Sequence, residues 1–388
     1  MKKVLAEERL PIKMWLEEIE ETALNQARNL ANLPFTFKHI ALMPDSHSGY
    51  GMPIGGVLAT NKTVVPNAVG VDIGCGMCAM RTNIKETDKT ELQKVVNIIK
   101  ELVPVGFNWH EKQQDESIMP LRPMSENAPV VAEQYEKALY QVGTLGGGNH
   151  FIELQSGNDG NLWVMIHSGS RNIGKRVADH YNKIAKQLNE MWHSSVPNEW
   201  DLAYLPIGTK EAKMYLTEMQ YCVDFAFANR KLMMERAKIA LQETIKNVEF
   251  AELINIAHNY AAWENHYKNN VIVHRKGATR AYENETGIIP GSMGTKSYIV
   301  KGLGNNESFK SCSHGAGRIM GRKQAQRELS LEHEQEILDS QNIIHDVKEI
   351  GNLDEAPSAY KNIDEVMSNQ NDLVEILVEL KPLAVIKG

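Results

Sequence analysis

Four histidines in this chain stand where an apolar, strand-like run gives way to a small or polar turn: His167 in WVMIHSGSR, His258 in INIAHNY, His274 in VIVHRKGATR and His314 in KSCSHGAGR. A strand holds an imidazole in fixed geometry, and a glycine-rich turn beside it leaves room for a phosphate or a metal ion. The shared placement predicts ligands and catalytic groups gathered in one cleft. Two further segments supply what such imidazoles need. GVDIGCGMCAM offers a hard carboxylate, Asp72, and a soft thiol, Cys75, among glycines, and TLGGGNHFIE offers His150 after a glycine run, followed by Glu153.

The first chemistry these residues suggest is metal binding. A thiolate at Cys75 can bridge two cations while Asp72, His150, His167 and His258 complete their coordination, with positions left open for phosphate oxygens. Such a two-ion clamp stabilises charge on both the attacking and the leaving oxygen of a phosphoryl displacement. A two-metal phosphatase or nuclease would use the same set. Cys75-Gly-Met-Cys78 also fits a CxxC pattern, half a zinc site or a redox pair, although no second CxxC and no βαβ context accompany it. A lone buried histidine is more often a hydrogen-bonded core residue than a ligand, and it is the recurrence of the turn that favours ligands.

The second chemistry is covalent. His314 is flanked by Ser311, Ser313, Gly315 and Gly317, so its ring can approach an electrophile closely, and Arg318 and Arg322 follow it. If a helix starts just after these glycines, both arginines share one face with its N-terminus and form an anion site. An imidazole near neutral pH is largely unprotonated and can attack phosphorus. The same stretch also reads as a flexible turn with an incidental histidine. Cys312 is a rival nucleophile, but its place inside the apparent strand end makes it a packed residue. The segment Ile289–Ser297 offers hydroxyls and amides suited to a base or phosphate, or simply a hairpin turn. Neither GxGxxG nor GxxxxGK[ST] occurs, so any nucleotide is held by another scheme.

The elements that must position these residues alternate helices with short buried strands. A helix is predicted from about Ile12 to Leu33, ended by Pro34, and Asp88 with Glu91 forms a capping box for a helix stopping before Pro104. Further helices are predicted over Val130–Gln141, Ile173–Ser194, Thr209–Asn247 and Arg322–Leu338. The last of the long ones includes a Met-rich stretch, Met214 to Met234, read as core plus solvated face. Strands are predicted to end at the histidines and to include His39–Met43, Gly56–Thr60 and Thr295–Lys301, while LAVI before Lys387 suggests a buried strand carrying that lysine inward. No repeat or linker separates the candidate residues. The expected fold is therefore α+β, a single mixed domain over residues 1–388 with strands lining a central cleft and helices packed outside.

Composition sets the outer limits. The chain has 388 residues with 42% apolar content, enough for a substantial core. The N-terminus lacks a signal-like apolar stretch and no run approaches the length of a membrane span, so a soluble cytoplasmic protein, a monomer, is expected. Four scattered cysteines speak for reduced thiols rather than a disulfide framework. The net charge of -7 is unevenly spread: residues 268–323 carry ten Lys/Arg against three acids, and residues 324–388 fourteen acids against five bases. A local positive field around the histidine turns can attract a polyanion although the whole molecule is acidic; the bland reading is a solvated surface.

GVDIGCGM, LGGGNHFIE, IHSGSR, AHNY, HRKGATRA, IPGSMGT, SCSHGAGR and VIKG occur in an order that resembles RtcB-type RNA ligases, GTP- and manganese-dependent enzymes of tRNA splicing and RNA repair. MPDSHSGYGMPIGG is similar to the family's PDxHxGxG signature, with Ser46 where a valine is more usual. The resemblance covers almost the whole chain. It implies that Cys75 bridges two Mn2+ ions, with Asp72 and His150 completing one sphere and His167 and His258 the other, and that His314 becomes guanylated. By the same resemblance Asn149 and Arg171 hold phosphate, Lys276, Arg318 and Arg322 extend that anion site, and Glu153, Ser292, Ser297, Tyr360 and Lys387 form the guanosine pocket beside Gly315, Ala316 and Gly317. The implied activity joins RNA 3′-phosphate or 2′,3′-cyclic phosphate ends to 5′-hydroxyl ends with GTP as GMP donor; a 3′-phosphate guanylyl-capping enzyme is the alternative within the family. Whether an archease-like activator is needed, and which RNA is the physiological substrate, are left open by motifs that all members share. His274, beside Arg275 and Lys276, is tied to phosphate or nucleotide contact rather than to metal.

Overall fold

The computed structural model describes residues 1–388. Two sheets carry the site. The first has six strands in the spatial order Lys3–Leu5, Ile12–Met14, Thr36–His47, Ile54–Thr60, Asn269–Lys276, Asn259–His266. The second has seven, in the order Ile254–Ala257, Gly76–Arg81, Leu162–Ser168, Phe151–Gly157, Val374–Lys387, Ser297–Gly302, Thr286–Ile289. Within these sheets every neighbouring pair is antiparallel except Ile12–Met14 beside Thr36–His47. Helices and antiparallel sheets in one chain make the α+β class expected from the sequence.

The strands are apolar for a physical reason. Leu162–Ser168 is buried along its whole length, so its VMI run needs no alternation with polar residues. On one side it pairs with Gly76–Arg81 and on the other with Phe151–Gly157, which puts Met77 and Phe151 both opposite His167. The long helix Lys210–Thr244 packs against this sheet through Met233 and Met234, while Met219 and Phe225 join a core shared with the helices Pro129–Gln141 and Arg171–Met191; of its polar residues, Glu218, Asn229 and Arg230 are buried. The Met-rich stretch is thus core plus solvated face, as read.

That helix also pins the loop bearing the candidate ligands. Arg230, fully buried, donates from Nη1 to the carbonyls of Gly74 (2.9 Å) and Ser168 (2.8 Å) and from Nε to Asn255 (2.7 Å). Asn229 accepts from the amides of Gly143 and Thr144 and donates to the Gly169 carbonyl. A buried charge with no carboxylate partner is tolerated only when several dipoles face it, so these carbonyls are locked in place with the helix.

Two sequence expectations change. The segment Ile12–Met14 is a strand, pairing in parallel with Ile40–Leu42, and the helix begins only at Glu21. Its buried–half-buried–buried alternation is strand-like, and the backbone bonds supplied by the neighbouring strand outweigh local helix preference. The helix expected over Arg322–Leu338 is two, Arg322–Glu328 and Leu331–Asp339, because Ser330 caps the second by accepting from the His333 amide. The capping box at Asp88 and Glu91 forms as expected and opens a helix, Lys89–Leu102. No helix is long and apolar enough to cross a membrane.

Candidate active site

Cys75 sits at the mouth of the strand Gly76–Arg81, and its carbonyl accepts the backbone N–H of His258 at 2.8 Å. His258 lies at the break between Ile254–Ala257 and Asn259–His266, where two sheets exchange the chain. His167 ends the neighbouring strand and His150 immediately precedes Phe151–Gly157. Asp72 reaches in from the loop before Cys75, packed against a glycine by necessity: a Cβ at Gly169 would lie 2.2 Å from its Oδ1.

The side chains converge. Cys75 Sγ lies 3.4 Å from His150 Nε2 and 3.3 Å from His167 Nε2; His167 Nε2 is 3.4 Å from His258 Nε2, and His150 Nε2 is 3.1 Å from Asp72 Oδ2. Cys75, His167 and His258 form one group of donors and Asp72, Cys75 and His150 another, with all donor atoms of each group within 4.8 Å of one another. His167 Nδ1 bonds the Asn149 carbonyl at 2.9 Å; a carbonyl only accepts, so Nδ1 carries the proton and Nε2 presents a lone pair to the cluster. That lone pair faces His258 Nε2 at 3.4 Å, where either a proton on the His258 ring or a cation between the two nitrogens satisfies it. This donor set of thiol, imidazole and one carboxylate fits two divalent transition-metal ions sharing the sulfur.

The electrostatics agree. Burial, followed by the charge of Asp72, pushes the Cys75 thiol well up, and burial pushes His167 and His258 well down. Without a cation the thiol is protonated and the imidazoles are neutral; a bound cation would displace the thiol proton.

His314 follows the short strand Ser311–Ser313, which pairs with Ala278–Arg280. Its Nδ1 lies 2.6 Å from Asp45 Oδ2, and the same oxygen accepts the backbone amides of His314 (3.0 Å) and Gly315 (3.3 Å). Burial alone would raise the Asp45 pKa, but the charge and hydrogen bond of His314 hold it below the ordinary value. The carboxylate keeps the proton on Nδ1, so the lone pair of Nε2 is left free. The His314 ring stands 4.9 Å from the ring of His258, which places it beside the donor cluster. Gly277 makes room: at φ +61° it lies against the ring, and a Cβ there would be 3.1 Å from His314 Cε1.

A cavity of about 930 Å³ opens over both groups, at the upper end of small-ligand pockets. Asn149, Glu153, Lys276, Ser292, Gly315, Ala316, Gly317, Arg318, Arg322, Tyr360 and Lys387 line it. Glu153 stands opposite Val385 and Lys387 opposite Phe151 on paired strands, so the two lie diagonally across one face of the sheet. Burial raises the Glu153 carboxyl to about 8, although the Gln155 amide and Lys387 oppose the shift.

Several expected residues take other places. Ser297 does not line the cavity; its Oγ accepts from Gly291 N–H at 3.1 Å and from Gln155 Nε2 at 3.2 Å, which shapes the turn beneath. Arg171 is outside the lining too, donating to Thr144 Oγ1 and the Gly106 carbonyl. Arg318 and Arg322 do not share a helix face, because the helix begins only at Arg322; they converge instead on Glu355, each at 3.1 Å. His274 is corrected outright. Fully buried in the first sheet, it accepts the Val65 amide on Nε2 (3.0 Å) and bonds the Leu58 carbonyl through Nδ1 (3.2 Å), a structural role away from phosphate. Cys78 bonds the Arg230 carbonyl and Cys312 is buried, so neither joins the chemistry.

Two site residues were missed by sequence reasoning. Asp45 stands inside MPDSHSGYGMPIGG, and an acid at a strand end in that motif was its only signal. Glu355 gathers Arg318, Arg322, the Tyr360 hydroxyl and, at 3.8 Å, Lys387, and nothing local marks it.

An imidazole oriented by a carboxylate beside a thiol-centred donor cluster, built on two largely antiparallel sheets, defines the class of site. The family model described as tRNA-splicing ligase RtcB matches residues 26–388. The RNA-splicing ligase RtcB of Escherichia coli (strain K12) is 39% identical over 99% of both chains. The tRNA-splicing ligases RtcB of Nanoarchaeum equitans and Thermococcus kodakarensis are 33% and 30% identical, each over 95% of this chain and 92% of its own. The chain belongs to the RtcB family.

Proposed function

We propose that this chain is an RNA ligase that uses GTP to join an RNA 3′-phosphate, or a 2′,3′-cyclic phosphate opened at the same site, to a 5′-hydroxyl end. The whole of residues 1–388 acts as the catalytic unit in this reading. Its strongest support is the pairing of His314 Nδ1 with Asp45 at 2.6 Å, which leaves Nε2 free beside the donor cluster.

In the first step Nε2 attacks the α-phosphorus of GTP, the P–N bond forms and pyrophosphate leaves. Asp45 stabilises the positive charge that the ring acquires. In the second, an oxygen of the RNA 3′-phosphate attacks that phosphorus, the P–N bond breaks and His314 is regenerated. In the third, the 5′-hydroxyl attacks the activated 3′-phosphate and GMP leaves. Asp72, Cys75 and His150 would hold one Mn2+ and Cys75, His167 and His258 the other; bound there, such ions supply positive charge for phosphate oxygens.

Guanine selection follows from the cavity wall. An ionised Glu153 accepts from guanine N1–H and N2–H, and Lys387 donates to O6. Adenine presents the opposite pattern and would leave buried groups unpaired. Lys276, Arg318 and Arg322 offer cations to phosphates, the arginines by exchanging Glu355 for the ligand.

Labelling with GTP radioactive at the α-phosphate tests the reading. With manganese present the wild type takes up covalent label and His314→Ala takes up none; label on His314→Ala would exclude this nucleophile.

A further inference from the structure

The carboxylate of Asp45 is anchored through one oxygen only. Oδ2 takes the His314 ring and the amides of His314 and Gly315, while Oδ1 is buried without a hydrogen-bond partner. A carboxylate held through one oxygen can still pivot, so the direction it gives the imidazole depends on the main chain beneath it. That main chain lacks ordinary strand support. In Thr36–His47 the pairing with Ile54–Thr60 reaches Leu42 opposite Gly56 and resumes only at His47 opposite Ile54, and the pairing with Ile12–Met14 also stops at Leu42. Met43 to Ser46 have no partner in either ladder, and unpaired buried backbone needs donors from elsewhere.

Lys361 supplies them. Its ammonium donates to the carbonyls of Pro44 (3.3 Å) and Ser46 (2.7 Å), the two residues that flank Asp45, and to nothing else. Its backbone N–H donates to the Gly317 carbonyl at 2.9 Å, on the loop that follows His314. That loop is pressed against the same stretch: Gly317 stands at φ +75°, and a Cβ there would lie 2.2 Å from the Asp45 carbonyl oxygen. Farther along the segment, buried Gln370 accepts the Ser313 N–H at 3.0 Å, just before His314. Lys361 thus ties together both partners of the 2.6 Å contact between Asp45 and His314. It is half-buried and does not line the cavity, although Tyr360 before it does, so it is not placed to touch a bound phosphate. Its charge faces inward all the same: burial lowers its pKa, and Asp45, followed by Glu20 and Glu365, opposes the fall.

We propose that Lys361 is a positioning residue for the transfer of GMP to His314, holding the main chain on both sides of Asp45 so that the carboxylate keeps Nε2 aimed at the α-phosphorus. The proposal rests on the ligase reading and deepens it. Lys361 makes and breaks no bond: the P–N bond forms at Nε2, pyrophosphate leaves with the electron pair, and Nδ1 keeps its proton against Asp45. Its effect is geometric, and a reacting group misplaced by about 1 Å loses on the order of 100-fold in rate.

The test is a double-variant cycle on the full chain, read as single-turnover uptake of α-phosphate label from GTP with manganese. Lys361→Met keeps the aliphatic stem and removes the donors. It is expected to label about 10-fold more slowly or worse, with half-saturating GTP within about 2-fold of wild type. Because Lys361 acts through Asp45, Lys361→Met combined with Asp45→Asn should label no more slowly than Asp45→Asn alone. A wild-type rate for Lys361→Met, a double variant slowed by the product of the two single effects, or a change confined to half-saturating GTP would each overturn the proposal. Absence of label on the wild type would instead sink the ligase reading itself. Should Lys361→Met fail to fold, judged by its melting temperature, Lys361→Gln, with one amide for two carbonyls, enters the same cycle and is held to the same outcomes.

Discussion

The backbone N–H of His258 donates to the carbonyl oxygen of Cys75 at 2.8 Å, so two candidate metal donors are fixed to each other through the main chain. Truncating a side chain in this cluster therefore leaves its scaffold standing.

From this comes the first prediction. Titration of the metal-free protein with Mn2+ is expected to give two equivalents for the wild type and one each for His150→Ala and His258→Ala, because these residues belong to different donor groups. Calorimetry checks the count, and melting temperatures close to that of the metal-free wild type check the fold. Two equivalents retained in both variants would refute the assignment of donors.

Asp45→Asn should slow labelling of His314 by about 100-fold or more, since a neutral amide no longer stabilises the charge that the ring acquires on attack. The amides of His314 and Gly315 still need an acceptor, so the loop keeps its shape. Single-turnover labelling measures the rate, and a rate near that of wild type would exclude the role given to Asp45.

Glu153 gives a pH dependence with a definite sign. Its folded-state pKa is raised from 4.5 to about 8, so the stability linked to its protonated form is present below about pH 4.5 and is lost as pH rises through about 8. Glu153→Gln removes that loss. The melting temperature of the wild type minus that of the variant should therefore fall between about pH 5 and 8, and a flat difference contradicts the prediction. GTP binding should tighten over the same interval in the wild type alone, since Glu153 must be ionised to accept from guanine.

The buried pair Glu264–Arg275 supports the strand that leads into His314. Arg275 is fully buried, grips Glu264 with both Nη atoms and donates to Ser311 Oγ (2.9 Å) and the Phe309 carbonyl (3.0 Å), just before His314. Glu264→Ala strands a buried guanidinium and should cost ~3–5 kcal/mol in urea unfolding, whereas the double change Glu264→Leu with Arg275→Met should recover most of that loss. A loss under ~1 kcal/mol for the single variant would show that the pair is not needed.

The candidate donor cluster was legible because its chemistry is written locally: Asp72, Cys75, His150, His167 and His258 each stand at a strand end or glycine loop. His274 carries the same local signature, yet its ring is spent on Val65 and Leu58; hydrophobic periodicity marks the strand but not what lies across the sheet. Asp45 and His314 are 269 positions apart, and the contact that orients the imidazole exists only once two sheets meet. Glu355 was hidden for the same reason. Arg318 and Arg322 were placed on one helix face by spacing alone, but Gly317 at φ +75° and Gly321 delay the helix to Arg322.

Both donor groups lean on one sulfur atom. Cys75 is 2% exposed, and with its thiol protonated by burial an unloaded site offers oxidants little thiolate to attack. Once that sulfur is oxidised to a sulfinic acid, both groups lose their common donor in a single irreversible event, and no half-competent form remains. Among the four cysteines, Cys75 alone belongs to both groups, and the sheet and helix that hold it keep it out of reach.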